Sequence, residues 1–141
     1  MKTSISKIDI ATVQLRTAVQ LYNKRNYISA ITLAAASEEI LGQIAKGKSG
    51  TNALLEDKVW TDQIADYFKK SRPSLSKVAR TRHKIKNELK HNDNGQNDKL
   101  NHDFQFEAEN FIVAAIRNFE LVKGHMPTDK TIKAFWNWVS I

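Results

Sequence analysis

Apolar residues recur every three to four positions along most of the chain, which is the spacing of amphipathic helices. We find no pattern that is typical of a β-strand, and only two prolines and five glycines interrupt the helical spacing. Six helical segments are predicted, over residues 9–24, 27–45, 52–69, 73–90, 104–122 and 128–139. The sequence therefore predicts an all-α fold, an up-and-down bundle of five to six helices.

The second segment, residues 27–45, is apolar around most of its circumference and leaves only a narrow polar strip. A helix of this kind is buried on most sides, so we expect it at the centre of the bundle. Gly47 and Gly50 follow it in the sequence. Because glycine readily closes a helix, we expect the second helix to end at these two residues.

Narrower apolar stripes on the other segments predict which side chains face the core. In residues 52–69 the predicted inward positions are Leu55, Val59, Ile64 and Phe68. In residues 73–90, which begin at a proline, they are Leu75, Val78, Ile85 and Leu89. In the last segment they are Ile132, Phe135, Trp136 and Val139. The polar residues 91–102 between the fourth and fifth helices predict a surface loop.

The length of 141 residues corresponds to one domain, which we place over residues 1–141, with its core over about 9–123 and the last helix packed on it. The chain contains no cysteine, which excludes disulfides, thiolate metal sites and a cysteine nucleophile. Residues 1–10 lack the apolar stretch of a signal peptide, and no apolar run approaches the ~20 residues that cross a bilayer. We therefore expect a cytoplasmic protein without membrane contact.

The net charge of +7 is concentrated in one part of the chain. Residues 69–90 contain nine Lys and Arg against the single acid Glu88, whereas the remaining residues contain thirteen basic and fourteen acidic side chains. Such clustering is typical of a surface that attracts phosphate groups. Lys77, Arg80, Lys84 and Lys90 are the candidates for nucleic-acid contacts. The alternative is a solvated basic helix face that has no ligand.

Arg82 lies inside the apolar stripe of the fourth helix, since at about 100° per residue it falls about 40° from Val78. A buried guanidinium needs a partner, because an unpaired charge in the core costs several kcal/mol. The same geometry places Glu38 on the buried side of the second helix, so we expect Glu38 and Arg82 to approach each other. In the alternative, the Arg82 head group reaches the surface along its aliphatic stem.

The fourth helix ends in the run Lys86-Asn87-Glu88-Leu89-Lys90-His91. This run resembles the signature of the HEPN superfamily, in which an Arg, often followed by Asn, stands shortly before a His. Lys86 occupies the Arg position, followed by Asn87, and His91 occupies the His position. Residues 27–39, which include Glu38, are similar to the second helix of the family, which contributes an acidic residue near the motif.

The resemblance implies a helical bundle that cleaves RNA without a metal ion. His91 would act as the general acid or base, and Lys86 and Arg82 would stabilise charge on the phosphate, with Asn87 and Glu38 orienting them. It also implies a homodimer with the cleft at its interface, and a nucleotidyltransferase-like antitoxin as a partner. The sequence departs from the pattern at Lys86, since a Lys cannot make the bidentate phosphate contact of an Arg.

Three readings of the function therefore stay open. The first is a HEPN-like, metal-independent endoribonuclease of the toxin–antitoxin or defence type. The second is a non-catalytic module of the same fold that binds RNA or an acidic protein, and the third is a purely structural dimeric helical protein. In the last two, His91 only ends a helix, where its side chain interacts favourably with the helix dipole. We expect no metal and no cofactor, because His83, His102 and His125 have no ligand partner at helical spacing.

Overall fold

The computed structural model describes residues 1–91 and 99–141, and these residues form helices without any strand. The helices are α1 (Lys7–Asn23), α2 (Tyr27–Ser49), α3 (Ala53–Tyr67), α4 (Leu75–Lys90), α5 (Phe104–Lys123) and α6 (Lys130–Val139). The prediction of an all-α fold with five to six helices is confirmed. The predicted loop 91–102 includes residues 92–98, which lie outside the described residues.

Polar residues start every one of these helices. The side chain at each N-cap accepts a hydrogen bond from a backbone N–H of the first turn, and these caps are Ser6, Asn26, Asn52, Ser74, Asp103 and Asp129. Such a cap satisfies a donor that the helix itself leaves unpaired. The sixth helix begins at Lys130 with Asp129 as its cap, two residues after Thr128, the position at which the sequence predicts its start.

The core forms around α2, which packs most extensively against α5 and α1. Its buried face is made largely of small residues, among them Ala30, Ala34 and Ala45, which let the neighbouring helices come close. The buried Ser37 hydroxyl donates a hydrogen bond of 2.8 Å to the Ala11 carbonyl of α1. This arrangement agrees with the central position that the apolar circumference of α2 predicts.

Asn118 is a fully buried polar residue on α5 and connects that helix to two others. Its Nδ2 donates to the Glu38 carbonyl of α2 at 3.0 Å, and its Oδ1 accepts from the Ala53 N–H, the first residue of α3, at 2.7 Å. A Cβ added at Gly42 would stand 3.0 Å from Asn118 Nδ2, which explains why a glycine faces this side chain. The amide thus positions the α3 N-terminus together with a second hydrogen bond, from Asn52 Nδ2 to the Gly42 carbonyl at 3.0 Å.

Two details of the sequence prediction are wrong in α2 and α3. Gly47 lies within α2, and only Gly50, with φ of 76°, ends the helix. In α3 the residues Val59, Ile64 and Phe68 are exposed rather than inward. The reason is that α3 has its main contacts with α4 and α5 alone and is fastened by the small buried residues Ala53 and Ala65.

The N-terminal end of α4 and the last helix differ in how well the predicted inward positions hold. Leu75, in the first turn of α4, is 40% exposed, because this turn lies beyond the core that buries Ile85. In α6, Ile132 and Phe135 are buried against α1, as predicted.

Within the described part of the chain, no helix has both the length and the apolar character that crossing a membrane would need.

Asp129 anchors α6 to α1 and allows a test of this packing by pH. Arg16 Nε donates to Asp129 Oδ2 at 2.5 Å, and the Asp129 side chain also caps α6. Burial raises the pKa of Asp129, but the hydrogen bonds from Arg16 and from the Ile132 and Thr131 N–H groups outweigh it and lower the pKa overall. A lowered pKa means that the ionised carboxylate stabilises the fold above the unfolded-state value of about 3.9 and loses this effect as the pH falls.

We therefore predict that Asp129→Asn lowers the free energy of unfolding by about 0.5–1 kcal/mol at pH 7, because a partly exposed ion pair is lost. The difference from the natural protein should shrink towards zero as the pH falls below about 4. Urea unfolding at pH 7 and at a pH below about 4 measures the difference in the free energy of unfolding between the two proteins. Asp103→Asn is the matched control, since Asp103 caps α5 and has no ion-pair partner among the described residues. A deficit of Asp129→Asn that stays equal at both pH values would contradict the prediction.

Candidate nucleic-acid interface

The outer side of α4 carries an exposed row of basic residues. Ile85 and Lys86 are buried and Arg82 lies between them around the helix, so the side of α4 opposite these three residues points outwards. Lys77, Arg80 and Lys84 share this outer side and are all exposed; together they are called the basic face. Among the described residues, no carboxylate pairs with Lys77 or Arg80, and the only close carboxylate of Lys84 is that of Glu88, at 3.9 Å. The charges of the basic face therefore point into solvent.

Asn87 and His91 continue the same side of α4 beyond the basic face, and both are exposed. His91 is the C-cap residue, and its backbone N–H donates to the Asn87 carbonyl at 3.1 Å. From Lys77 to His91 the row extends about 21 Å at the usual helical rise. Lys90 is also exposed and lies on the flank of this row. The imidazole is thus at the end of a cationic surface and open to solvent.

The opposite, inner side of α4 contains a buried cluster of charged groups. The Glu38 side chain, only 5% exposed, lies with its Oε1 3.9 Å from Arg82 Nε. This is the approach that the helical spacing of the two residues predicts. The Nε2 atom of His83 lies 3.5 Å from Glu38 Oε2, and the His83 ring stacks on Phe111 with centroids 6.2 Å apart. The imidazole beside Glu38 is therefore that of His83, not that of His91.

Arg82 has a second acidic neighbour in Asp57 of α3, which pairs with Arg82 Nη1. Burial lowers the pKa of Arg82 from its usual value, while the Glu38 carboxylate opposes this shift. A guanidinium stays protonated nonetheless, so Arg82 carries a positive charge between the two acids. Three buried atoms of this cluster have no hydrogen-bond partner among the described residues, namely Glu38 Oε2, Arg82 Nε and His83 Nε2. The cluster is ionically paired but incompletely hydrogen-bonded.

The structure separates Lys86 from Asn87 and His91, although all three belong to the run that ends α4. Lys86 is buried on the inner side of α4, and its Nζ lies 3.3 Å from Glu39 Oε2 rather than facing Glu38. Asn87 and His91 lie on the outer side. Within one chain, Lys86 and His91 therefore do not converge on a common point. The described residues also contain no group of three His, Asp or Glu side chains that could hold a metal ion.

A cleft of about 820 Å³ opens between α3, α4 and α5. Trp60, which is 64% exposed, lines it together with Val78 and Phe111. Arg82 reaches the cleft from the buried cluster, and Lys77 belongs both to the cleft and to the basic face. The described structure thus places an aromatic surface directly beside the row of exposed cations.

Sequence reasoning did not identify the cleft, His83 or Asp57 as parts of the site. The helical wheel alone does not assign His83 to either side of α4, because it stands about 60° from the inner Lys86 and about 40° from the outer Asn87. Asp57 could not be found either, because the irregular pattern of α3 does not define which of its sides faces α4. Comparisons with protein-family models, curated proteins and solved structures found no match to this chain.

The buried cluster generates a prediction about stability. Arg82→Met should lower the free energy of unfolding by about 3 kcal/mol, because it leaves the buried Glu38 carboxylate without its cation. Adding Glu38→Gln should restore part of this loss, since the charge that needed a partner is then gone. Urea unfolding of the two single variants and the double variant gives the coupling between the residues. Arg80→Met, on the exposed side of the same helix, is the control and should change little. Strictly additive effects would contradict the pairing.

Proposed function

We propose that this protein is a HEPN-like helical domain that binds RNA through the basic face of α4. The observation that carries the proposal is the row of Lys77, Arg80 and Lys84, exposed along one side of a helix and pointing away from the carboxylates of α2 and α3. Phosphate groups of a nucleic acid bind such a surface by displacing counterions. Lys90 and His91 extend the surface towards the end of the helix.

RNA is favoured as the nucleic acid by the resemblance of residues 27–39 and 86–91 to the HEPN superfamily. The geometry favours binding over cleavage. Lys86, which stands at the position of the phosphate-holding Arg, is engaged by Glu39, and Arg82 is engaged by Asp57 and Glu38. Neither cation is free to hold a scissile phosphate while these pairs persist. The basic face is already exposed, so it can bind RNA without breaking an ion pair to a carboxylate of α2 or α3.

Metal-independent RNA cleavage is the second candidate, and the exposed His91 favours it. An imidazole can accept a proton from a 2′-hydroxyl or donate one to a leaving oxygen. His91 stands at the end of the surface that the phosphates would occupy. In this candidate a homodimer brings two His91 side chains to one cleft, and a nucleotidyltransferase-like partner restrains the activity.

The RNA-binding proposal predicts a specific dependence on salt. The triple variant Lys77→Gln, Arg80→Gln, Lys84→Gln should bind a mixed RNA pool more weakly than the natural protein at low salt. Its plot of log affinity against log salt should be shallower by about two units, at about 0.7 units for each lost phosphate contact on single strands. The measurement is a fluorescence-anisotropy titration at several salt concentrations.

The control for this experiment removes the same number of charges elsewhere. Lys123, Lys130 and Lys133 are exposed on α5 and α6, and their triple substitution by Gln gives the same net charge. It should leave most of the affinity and most of the salt dependence. An equal loss in both triple variants would mean that only the net charge matters, and no RNA affinity of the natural protein at low salt would refute the proposal.

Cleavage is tested by incubating the same RNA pool with the protein in EDTA. If His91 moves the proton, His91→Ala should lose at least about a hundredfold of the cleavage rate, in line with the usual contribution of a general acid or base. The anisotropy titration should show a much smaller loss of affinity for this variant than for the triple variant of the basic face, since all the Lys and Arg side chains are kept. His125→Ala, which removes another exposed histidine, is the control and should cleave normally. Absence of cleavage by the natural protein would remove the second candidate and leave RNA binding intact.

A further inference from the structure

We propose that the cleft between α3, α4 and α5 holds one unstacked base of the RNA strand, stacked on Trp60, while the phosphates on either side lie along the basic face. This inference rests on the proposed RNA binding and adds the part of the RNA that the cleft recognises. The cleft has a volume of about 820 Å³, which falls within the usual range of small-ligand sites. A nucleobase with its ribose fits into a site of this size.

The walls of the cleft suit a flat ring. Trp60 lines the cleft and is 64% exposed, so most of its indole surface is open to a ligand. Phe111, Val113 and Ala114 of α5 form the apolar floor. A base that enters between the indole and this floor removes apolar surface from water on both of its faces. Stacking on an aromatic side chain accepts any base, because every base has a π-face.

The charges in the cleft favour a neutral base over a phosphate. The lining residues include three cations and three carboxylates, Lys77, Arg82, Arg117, Glu56, Asp57 and Glu107. Their formal charges cancel, and several are paired, as in the 2.9 Å contact between Arg117 Nη2 and Glu56 Oε1. A phosphate would meet as much repulsion as attraction there. The edge of a base instead offers both donors and acceptors, which Asp57 and the exposed Asn110 amide can meet.

Lys77 connects the cleft to the basic face. It is the first residue of the exposed cationic row and also lines the mouth of the cleft. A strand whose phosphates follow α4 can therefore turn a base into the cleft next to Lys77. Bases in a duplex are stacked and paired, so only a single-stranded or looped nucleotide can turn into the cleft. The site thus implies a preference for single-stranded RNA over the same sequence in a duplex.

The test compares Trp60→Ala with Trp138→Ala, which removes another half-exposed indole from α6. Anisotropy titrations use a short single-stranded RNA and the same RNA with every nucleotide replaced by an abasic ribose phosphate, because a strand that lacks only one base could shift and stack a neighbouring base on Trp60. The natural protein should bind the intact RNA about tenfold more tightly than the abasic RNA. Trp60→Ala should lose this difference and bind both at the weaker level, with an unchanged salt slope because no phosphate contact is lost. Trp138→Ala should behave as the natural protein, and circular dichroism checks the folding of both variants.

The outcomes separate this inference from the RNA binding on which it rests. RNA binding with the salt dependence of the basic face, but with equal affinity for intact and abasic RNA, would overturn the base site and leave the proposed function standing. No binding of either RNA at low salt would overturn both. Sedimentation of the RNA-free protein supplies a further check. A dimer that Trp60→Ala converts to a monomer, with unaltered RNA affinity, would mean that a second copy of the chain covers Trp60, and it would refute the base site.

Discussion

The buried amide of Asn118 is the contact on which the arrangement of the site depends. It accepts a hydrogen bond from the first residue of α3 and donates one to the backbone of α2 at Glu38. The other contacts of α3 include the 3.0 Å hydrogen bond from Asn52 Nδ2 to the Gly42 carbonyl, the small buried alanines Ala53 and Ala65, and its ion pairs with Arg82 and Arg117. Because Asn118 fixes the start of α3, it also fixes Asp57 one turn later, opposite Arg82. The position of the cleft follows from the same contact.

The charged cluster around Arg82 is better explained by the orientation that it imposes on α4 than by a contribution to stability. The buried Glu38 carboxylate and the Arg82 guanidinium lose hydration that their attraction only partly replaces, while Asp57 stays half exposed. An apolar trio of similar size would pack in the same space without that loss. The charges do, however, define which side of α4 faces α2, since any rotation of α4 would bury Arg82 without a carboxylate. The same rotation would remove the basic face from the surface.

Helical periodicity predicts those parts of the site that depend on one helix at a time. It indicates the inner position of Arg82, the matching position of Glu38 and the outer position of Lys77 and Arg80. It does not indicate that Lys86 pairs with Glu39, because that contact depends on the distance and tilt between α2 and α4. The inward positions expected in α3 were wrong for a similar reason. An apolar stripe shows that a helix has an apolar face, but it does not show that another helix covers that face.

The uncovered side of α3 has a consequence for how the molecule behaves in concentrated solution. Val59, Trp60, Tyr67 and Phe68 expose apolar surface next to a strongly cationic segment. At low ionic strength the net charge of +7 keeps copies of the protein apart. Added salt shortens the distance over which that repulsion acts and leaves the attraction between apolar surfaces in place. Self-association of this protein should therefore increase as ionic strength rises. Assemblies that are held together by opposite charges show the reverse, because salt weakens their attraction.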